Sequence, residues 1–103
     1  MIRPDFSFER DMPMSITVWA VPAFRLKSRH VLRFLAESRS PIHAVEVRLF
    51  SSDGLYSRTP VQSRRWEPIG DLAKTAEDIS KYIGDSNSPA VTIMKDEVAR
   101  PPS

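Results

Sequence analysis

The chain of 103 residues contains no cysteine and only three glycines. Without cysteine it cannot form a disulfide, bind a metal through thiolates or attack a substrate through a thiol. Its two histidines, His30 and His43, are isolated from each other and do not have the spacing of metal ligands. We therefore expect no metal site and no cofactor.

Long apolar runs are also missing from the sequence. No stretch is long enough to predict a membrane span, and no charged segment followed by an apolar run predicts a secretory signal. A cytoplasmic protein without membrane contact is the expectation. The apolar share of 41% and the charged share of 27% are those of a chain that folds, and the length fits one small domain.

Basic residues are concentrated in two stretches, although the net charge is only +2. Most of them are arginines, which favour contacts with carboxylates, phosphates and aromatic faces. The first stretch contains Arg25, Lys27, Arg29, His30 and Arg33, and the second contains Arg58, Arg64 and Arg65. Both stretches are candidates for contact with an anionic partner.

The apolar pattern predicts alternating strands and helices. Residues 15–21 form an almost continuous apolar run, which is typical of a strand buried on both faces. Residues 24–37 have helical spacing, and residues 43–50 alternate as in a strand. A helix is predicted over 71–83, where Asp71 can cap the start and Gly84 can end it.

The remaining segments have weaker patterns. Residues 51–70 predict a long loop, residues 90–94 a short strand and residues 97–99 a very short last strand. We predict one domain over residues 14–98, preceded by an arm or edge strand over 1–13 and followed by a disordered tail over 99–103. This order predicts a small α/β sheet in which the first strand is central.

Part of the chain resembles the glutaredoxin-like proteins of the thioredoxin fold that donate electrons to ribonucleotide reductase. The resemblance lies in Ile16-Thr-Val-Trp-Ala-Val-Pro22-Ala23, a following helix, the strand over residues 44–49, a second helix and Ser88-Pro89-Ala-Val-Thr-Ile. It implies a three-layer fold with a mixed sheet of three to four strands and two main helices, truncated at the C-terminus.

In that family the first strand leads into Pro-Ala-Cys-x-x-Cys, and a cis-proline faces the cysteine pair. On this chain the two cysteine positions fall on Phe24 and Lys27, and the cis-proline position falls on Pro89. Because dithiol exchange starts with a thiolate, the redox activity does not carry over. The resemblance therefore implies a pseudoenzyme.

The first functional hypothesis is a redox-inactive module that binds a protein with an acidic surface. Its site would combine the helix head around Phe24, the Pro89 turn and the loop over residues 51–70. Basic residues at a helix N-terminus are unfavourable, and an acidic group from a partner would relieve this cost. A short relative of the family that has lost its redox residues would suit a bacteriophage or bacterial factor that modulates a host protein.

The alternatives use the same basic residues differently. Arg25, Arg29 and Arg33 could line one helix face and bind a nucleic-acid backbone, or that face could simply be solvated. In the second stretch Trp66 and the arginines could stack on bases or anchor a protein interface, or Trp66 could fold back over the sheet. An enzyme acting on a glutathione-like or phosphorylated ligand ranks last, because no base, nucleophile or metal set can be assembled.

Overall fold

The computed structural model describes residues 14–38, 40–51 and 59–98. These residues form four strands and two α-helices. In chain order they are β1 (Met14–Pro22), α1 (Ser28–Ala36), β2 (Ile42–Phe50), β3 (Gln62–Trp66), α2 (Leu72–Asp85) and β4 (Ala90–Val98). The predicted arm over 1–13 and tail over 99–103 lie outside the described residues, as does Arg58.

The strands form one sheet in the order β1-β4-β2-β3, and every neighbouring pair is antiparallel. The α/β class, the four strands and the two helices agree with the sequence prediction, whereas the mixed sheet is wrong. The central position predicted for β1 is also wrong. The strands β1 and β2 run in the same direction, but β4 lies between them and leaves β1 at an edge.

Both helices cover the same face of the sheet, so the expected three layers are two. The helices pack against each other, and alternate residues of β2 and β4 point into the shared core. The core residues with the least exposure include Val31 and Leu35 of α1, Ile79 and Ile83 of α2, Val45, Val47 and Leu49 of β2, and Val91 and Ile93 of β4. The opposite face of the sheet is not covered by either helix.

The boundaries of α2 follow from its capping residues. As predicted, the carboxylate of Asp71 accepts hydrogen bonds from the backbone N–H groups of Ala73 and Lys74, at 3.0 and 3.2 Å. The predicted end at Gly84 is wrong, because the helix continues to Asp85. The hydroxyl and the backbone N–H of Ser86 both donate to the carbonyl of Ile83, which closes the last turn without a left-handed glycine.

The helix α1 begins later than predicted. A single 3₁₀ turn over Ala23–Arg25 follows β1, and the next two residues are extended. The N–H of Ala23 still donates to the carbonyl of Pro89 at 2.8 Å, so the sheet holds this segment before the helix can begin. Arg25 therefore lies outside α1.

Two strands differ from the sequence prediction. The strand β3 lies within the predicted loop over 51–70, and β4 runs without interruption from Ala90 to Val98 in place of two short strands. Four of the five residues of β3 are exposed, so no apolar alternation marks this strand. In β4 the buried positions Lys95 and Glu97 are polar, which hides the alternation.

Candidate functional site

One end of the sheet brings together two turns that the sequence hypothesis joined. The strand β1 ends there opposite the start of β4, since Pro22 pairs with Ala90. The helix α1 begins and α2 ends at the same end. We call residues Ala23–Lys27 and Ser86–Pro89 the head surface. The C-terminal end of β2 and the start of β3 also lie at this end of the sheet.

A depression of about 380 Å³ occupies the head surface. The aromatic ring of Phe24 lies at this depression and is 79% exposed. The guanidinium carbon of Arg25 lies 5.6 Å from the centre of that ring. The depression is lined by Ala23, Phe24, Ile83, Gly84, Ser86, Asn87, Ser88 and Pro89. An exposed aromatic ring thus stands beside a cation and a shallow cavity.

The two positions that the resemblance equates with cysteines, Phe24 and Lys27, are both exposed. Pro89 lies at the same depression as Phe24. Among the described residues the cis peptide bond is Glu67–Pro68, so the cis bond that the resemblance implies before Pro89 is not present. Pro89 instead forms the turn that leads into β4 and accepts the hydrogen bond from Ala23.

The predicted stripe of three arginines along one helix face is wrong, because Arg25 precedes the helix. Arg29 and Arg33 are one helical turn apart on α1 and both are exposed. The Nε atom of Arg33 lies 3.5 Å from the Glu37 carboxylate, and both side chains are largely in solvent. Such an exposed ion pair contributes little to the stability of the fold, and Arg33 fits the interpretation of a solvated helix face.

The two arginines of the second basic stretch that the structure describes, Arg64 and Arg65, do not form one surface. Arg64 and Arg65 are neighbours in β3, so their side chains point to opposite faces of the sheet. The guanidinium of Arg64 lies 4.5 Å from the Trp66 ring centre on the helix side. That of Arg65 pairs with Glu67 and Asp96 at 3.0 and 3.4 Å. The charges are therefore divided and partly neutralised.

The interpretation that Trp66 covers the sheet is confirmed, because its ring is buried. It packs edge to face against Tyr82 of α2, with ring centres 5.6 Å apart. Burial raises the pKa of the Tyr82 hydroxyl, against the opposing effect of Arg64. A buried indole cannot stack on a base, so the base-stacking alternative for Trp66 is wrong.

The two histidines take local structural roles. Nδ1 of His30 accepts a hydrogen bond from the backbone N–H of Lys27 at 3.2 Å, at the start of α1. Nε2 of His43 lies 2.9 Å from the Glu67 carboxylate. Within the described ranges, no cluster of three or more histidine and carboxylate side chains could hold a metal ion. In the same residues, no helix has the length and apolar character needed to cross a membrane.

Glu67 is held in its charged form by its neighbours. The hydrogen bond from Arg65 is the largest cause that lowers its pKa, and the charge of His43 acts in the same direction. A carboxyl whose pKa is lowered by folding stabilises the native state above its unfolded value, and this contribution is lost as pH falls through the folded value.

We therefore expect the stability difference between the wild type and Glu67→Gln to depend on pH. The wild type should be the more stable at neutral pH, and the difference should shrink as pH falls from the ordinary value of 4.5 through the lower folded value. Urea unfolding of both proteins at a series of pH values measures this. A difference that is constant across the series would contradict the role of the Arg65 hydrogen bond.

One surface, which lies along β1, has no counterpart among the residues predicted from the sequence. Ile16 and Val18 are exposed on the sheet face without helices. Along the edge of the strand, a groove of about 340 Å³ runs between β1 and α1. It is lined by Val18, Trp19, His30, Arg33, Phe34 and Glu37. Two helices are too few to cover both faces of a four-stranded sheet completely, and this small number was the signal in the sequence that part of the sheet would stay uncovered.

Comparison with protein-family models, curated proteins and solved structures finds no match to this chain. The glutaredoxin-like resemblance therefore stays a prediction from the motifs quoted above.

Proposed function

We propose that the chain is a non-catalytic module that binds another protein through the head surface. The observation that carries this proposal is the exposure of Phe24, 79% of which is in solvent at the edge of a depression. Aromatic side chains beside a cavity are common anchors of protein interfaces, because a partner can remove a large apolar area from water there. Folding alone gives no benefit from placing a phenylalanine at this position.

The charge around Phe24 favours an acidic partner. Arg25 and Lys27 are exposed next to the ring, and Arg29 follows on the first turn of α1. The first turn of α1 contains no acidic residue that would complement the positive end of the helix dipole. A carboxylate of a partner would meet both the free N–H groups of this turn and the basic side chains.

The depression at the head surface has a shape that could receive a side chain of the partner. Its lining consists largely of small residues and turn backbone from Ser86 to Pro89, together with Ile83. An apolar side chain of a partner could enter beside Phe24, with the basic residues at the rim. This is the usual arrangement of an apolar centre with a polar surround.

The chemistry of the chain supports binding in preference to catalysis. It has no cysteine, so thiol redox chemistry is impossible, and the positions that the resemblance equates with cysteines hold Phe24 and Lys27. The nucleic-acid alternative has weaker support because Arg64 and Arg65 point to opposite faces. Action on a host protein by a bacteriophage or bacterial factor stays a prediction from the resemblance.

The proposal is tested by capture of partners from a lysate of the source cell, with and without nuclease, using the tagged wild type. A protein that is captured in both samples is then titrated against Phe24→Ala and Arg25→Glu. We expect each variant to lose about 30-fold in affinity, the effect of a typical interface hot spot. Both residues are exposed, so circular dichroism should show an unchanged fold.

The matched control is Lys74→Glu, which makes the same charge change near the start of α2, at the opposite end of the domain from the head surface. Its affinity for the captured protein should equal that of the wild type. Equal affinities for all the variants would remove the head surface from consideration. Capture that disappears with nuclease and weakens steeply with salt would favour nucleic acid instead.

A further inference from the structure

The outer edge of β1 is unusually open to pairing. Within the part of the chain that the structure describes, β4 pairs with one edge of β1 and no strand pairs with the other. Residues 15–22 contain no charged side chain, the only proline is at the end, and the register with β4 has no bulge. Charges, internal prolines and bulges are the usual protections of an edge strand, and β1 has none of them.

The other edge of the sheet is protected. The strand β3 presents a sequence of polar residues with two adjacent arginines, and four of its five residues are exposed. Pairing of two such strands would bring arginines close together, which is unfavourable. The two edges of one sheet therefore differ in their capacity to pair, and β1 is the open one.

The hydrogen-bonding direction of β1 follows from its register. The N–H of Ala23 donates to Pro89, so the alternate residues Val21, Trp19 and Thr17 direct their backbone groups toward β4. The residues between them direct theirs away from the sheet. The outward set is Ile16, Val18 and Ala20. Their N–H and C=O groups form a regular row along the free edge.

We propose that two copies of this chain pair through β1, antiparallel and about a two-fold axis at Val18. Val18 is the central residue of β1, so this register pairs the whole strand with itself. Val18 then lies opposite Val18 of the second copy, and Ile16 lies opposite Ala20. The outward backbone groups would form about six hydrogen bonds across the axis. The two sheets become one continuous sheet.

The side chains brought together on the helix-free face are compatible with this pairing. Ile16 and Val18 are 61% and 55% exposed in the single copy. Across the axis they would contact valine, isoleucine and alanine of the second copy, which removes apolar surface from water. On the helix side Thr17 of one copy would lie opposite Trp19 of the second copy. Neither face places like charges opposite each other.

The groove between β1 and α1 supplies complementary charge. Its basic residues, His30 and Arg33, come before the acidic Glu37 along α1, and Val18 and Trp19 line the same groove. A two-fold axis at Val18 reverses the direction of the second helix. The Glu37 end of each groove would then lie toward His30 and Arg33 of the other copy, so the Arg33–Glu37 pair within each copy would be extended by that of the second.

Sedimentation velocity of the full chain from micromolar to millimolar concentration tests the proposal. We expect the wild type to convert from monomer to dimer with rising concentration, and Val18→Lys to stay monomeric because two ammonium groups would meet at the axis. The control is Ser63→Lys, an exposed position on the β3 edge, which should dimerise like the wild type. Equal unfolding transitions of the monomers establish that the variants fold.

A cross-linking experiment tests the register. The chain has no cysteine, so Val18→Cys introduces a single thiol. Residues opposite each other in a hydrogen-bonded antiparallel pair have Cα atoms about 5.5 Å apart, within the range of a disulfide. Under mild oxidation this variant should form a covalent dimer much faster than Ser63→Cys.

Three outcomes overturn the proposal: a wild type that is monomeric at all concentrations, dimerisation that survives Val18→Lys, or equal cross-linking of the two cysteine variants. A β1 edge that accepts an extended segment of a different protein would give the first outcome. Phe24→Ala and Arg25→Glu, which test the head surface, should leave self-association unchanged. The two proposals can therefore fail separately.

Discussion

Ile93→Ala is expected to lower the free energy of unfolding by about 3 kcal/mol. Ile93 is fully buried at the middle of β4, where it pairs in register with Trp19 of β1 and Val47 of β2. Both helices cover this part of the sheet. Removal of the isoleucine side chain leaves a cavity that strands on both sides and helices above cannot fill, so the cavity adds to the lost transfer free energy.

Urea unfolding measures the effect, with two comparisons at the same concentration. Ile93→Val removes one methylene and should cost about 1 kcal/mol. Val61→Ala, at a position 62% exposed and before β3, should change the stability by less than about 0.5 kcal/mol. If Ile93→Ala were as mild as Val61→Ala, the helices could not cover this face of the sheet.

The contrast between the buried Ile93 and the exposed Val61 shows which elements the sequence pattern could predict. The run that contains Trp19, the alternation in β2 and the helical period of α2 all depend on local burial, and these elements were predicted. The strand β3 was not, because an exposed polar edge strand has no apolar period. The insertion of β4 between β1 and β2 depends on pairing between residues far apart in sequence, which no local pattern contains.

The candidate sites also divide into those that the sequence could predict and those that depend on the fold. The turns around Phe24 and Pro89 were placed together by the resemblance, and the ends of β1 and β4 do meet there. Arg64 and Arg65 were grouped by sequence distance, but the pleat of β3 separates them. Ile16 and Val18 were missed because an apolar run has the same composition in a doubly covered strand and in an edge strand with one open face.

Lys95 is the residue for which sequence pattern and structure differ most. It lies in β4 beyond the predicted end of the strand, and only 3% of it is exposed. Its ammonium group donates to the carbonyl of Phe34 and lies 4.2 Å from the centre of the Phe34 ring. That carbonyl is in the last turn of α1, where no N–H of the helix is available. Lys95 thus caps α1 from the sheet.

Lys95→Glu is expected to lower the free energy of unfolding by about 4 kcal/mol, enough to unfold a domain of ordinary stability. The carboxylate would face a carbonyl, the negative face of an aromatic ring and the negative end of the α1 dipole. The buried Glu97 lies two residues farther along the same side of β4. The carboxylate of Glu97 accepts a hydrogen bond from the hydroxyl of Thr17, and it would repel a second carboxylate at position 95.

Lys95→Met removes the charge of the side chain and keeps most of its packing, so it measures the two contributions separately. It keeps the length of the side chain but leaves the Phe34 carbonyl without its donor, a cost of about 1 to 2 kcal/mol. Removal of a buried ammonium offsets part of this cost, so we expect a net loss of about 1 kcal/mol. Thermal and urea unfolding should therefore rank wild type, Lys95→Met and Lys95→Glu in decreasing stability. The exposed Lys74→Glu should be at least as stable as the wild type, because an acidic residue in the first turn of α2 complements the helix dipole. Equal stabilities for the two glutamate variants would show that the Lys95 ammonium reaches solvent.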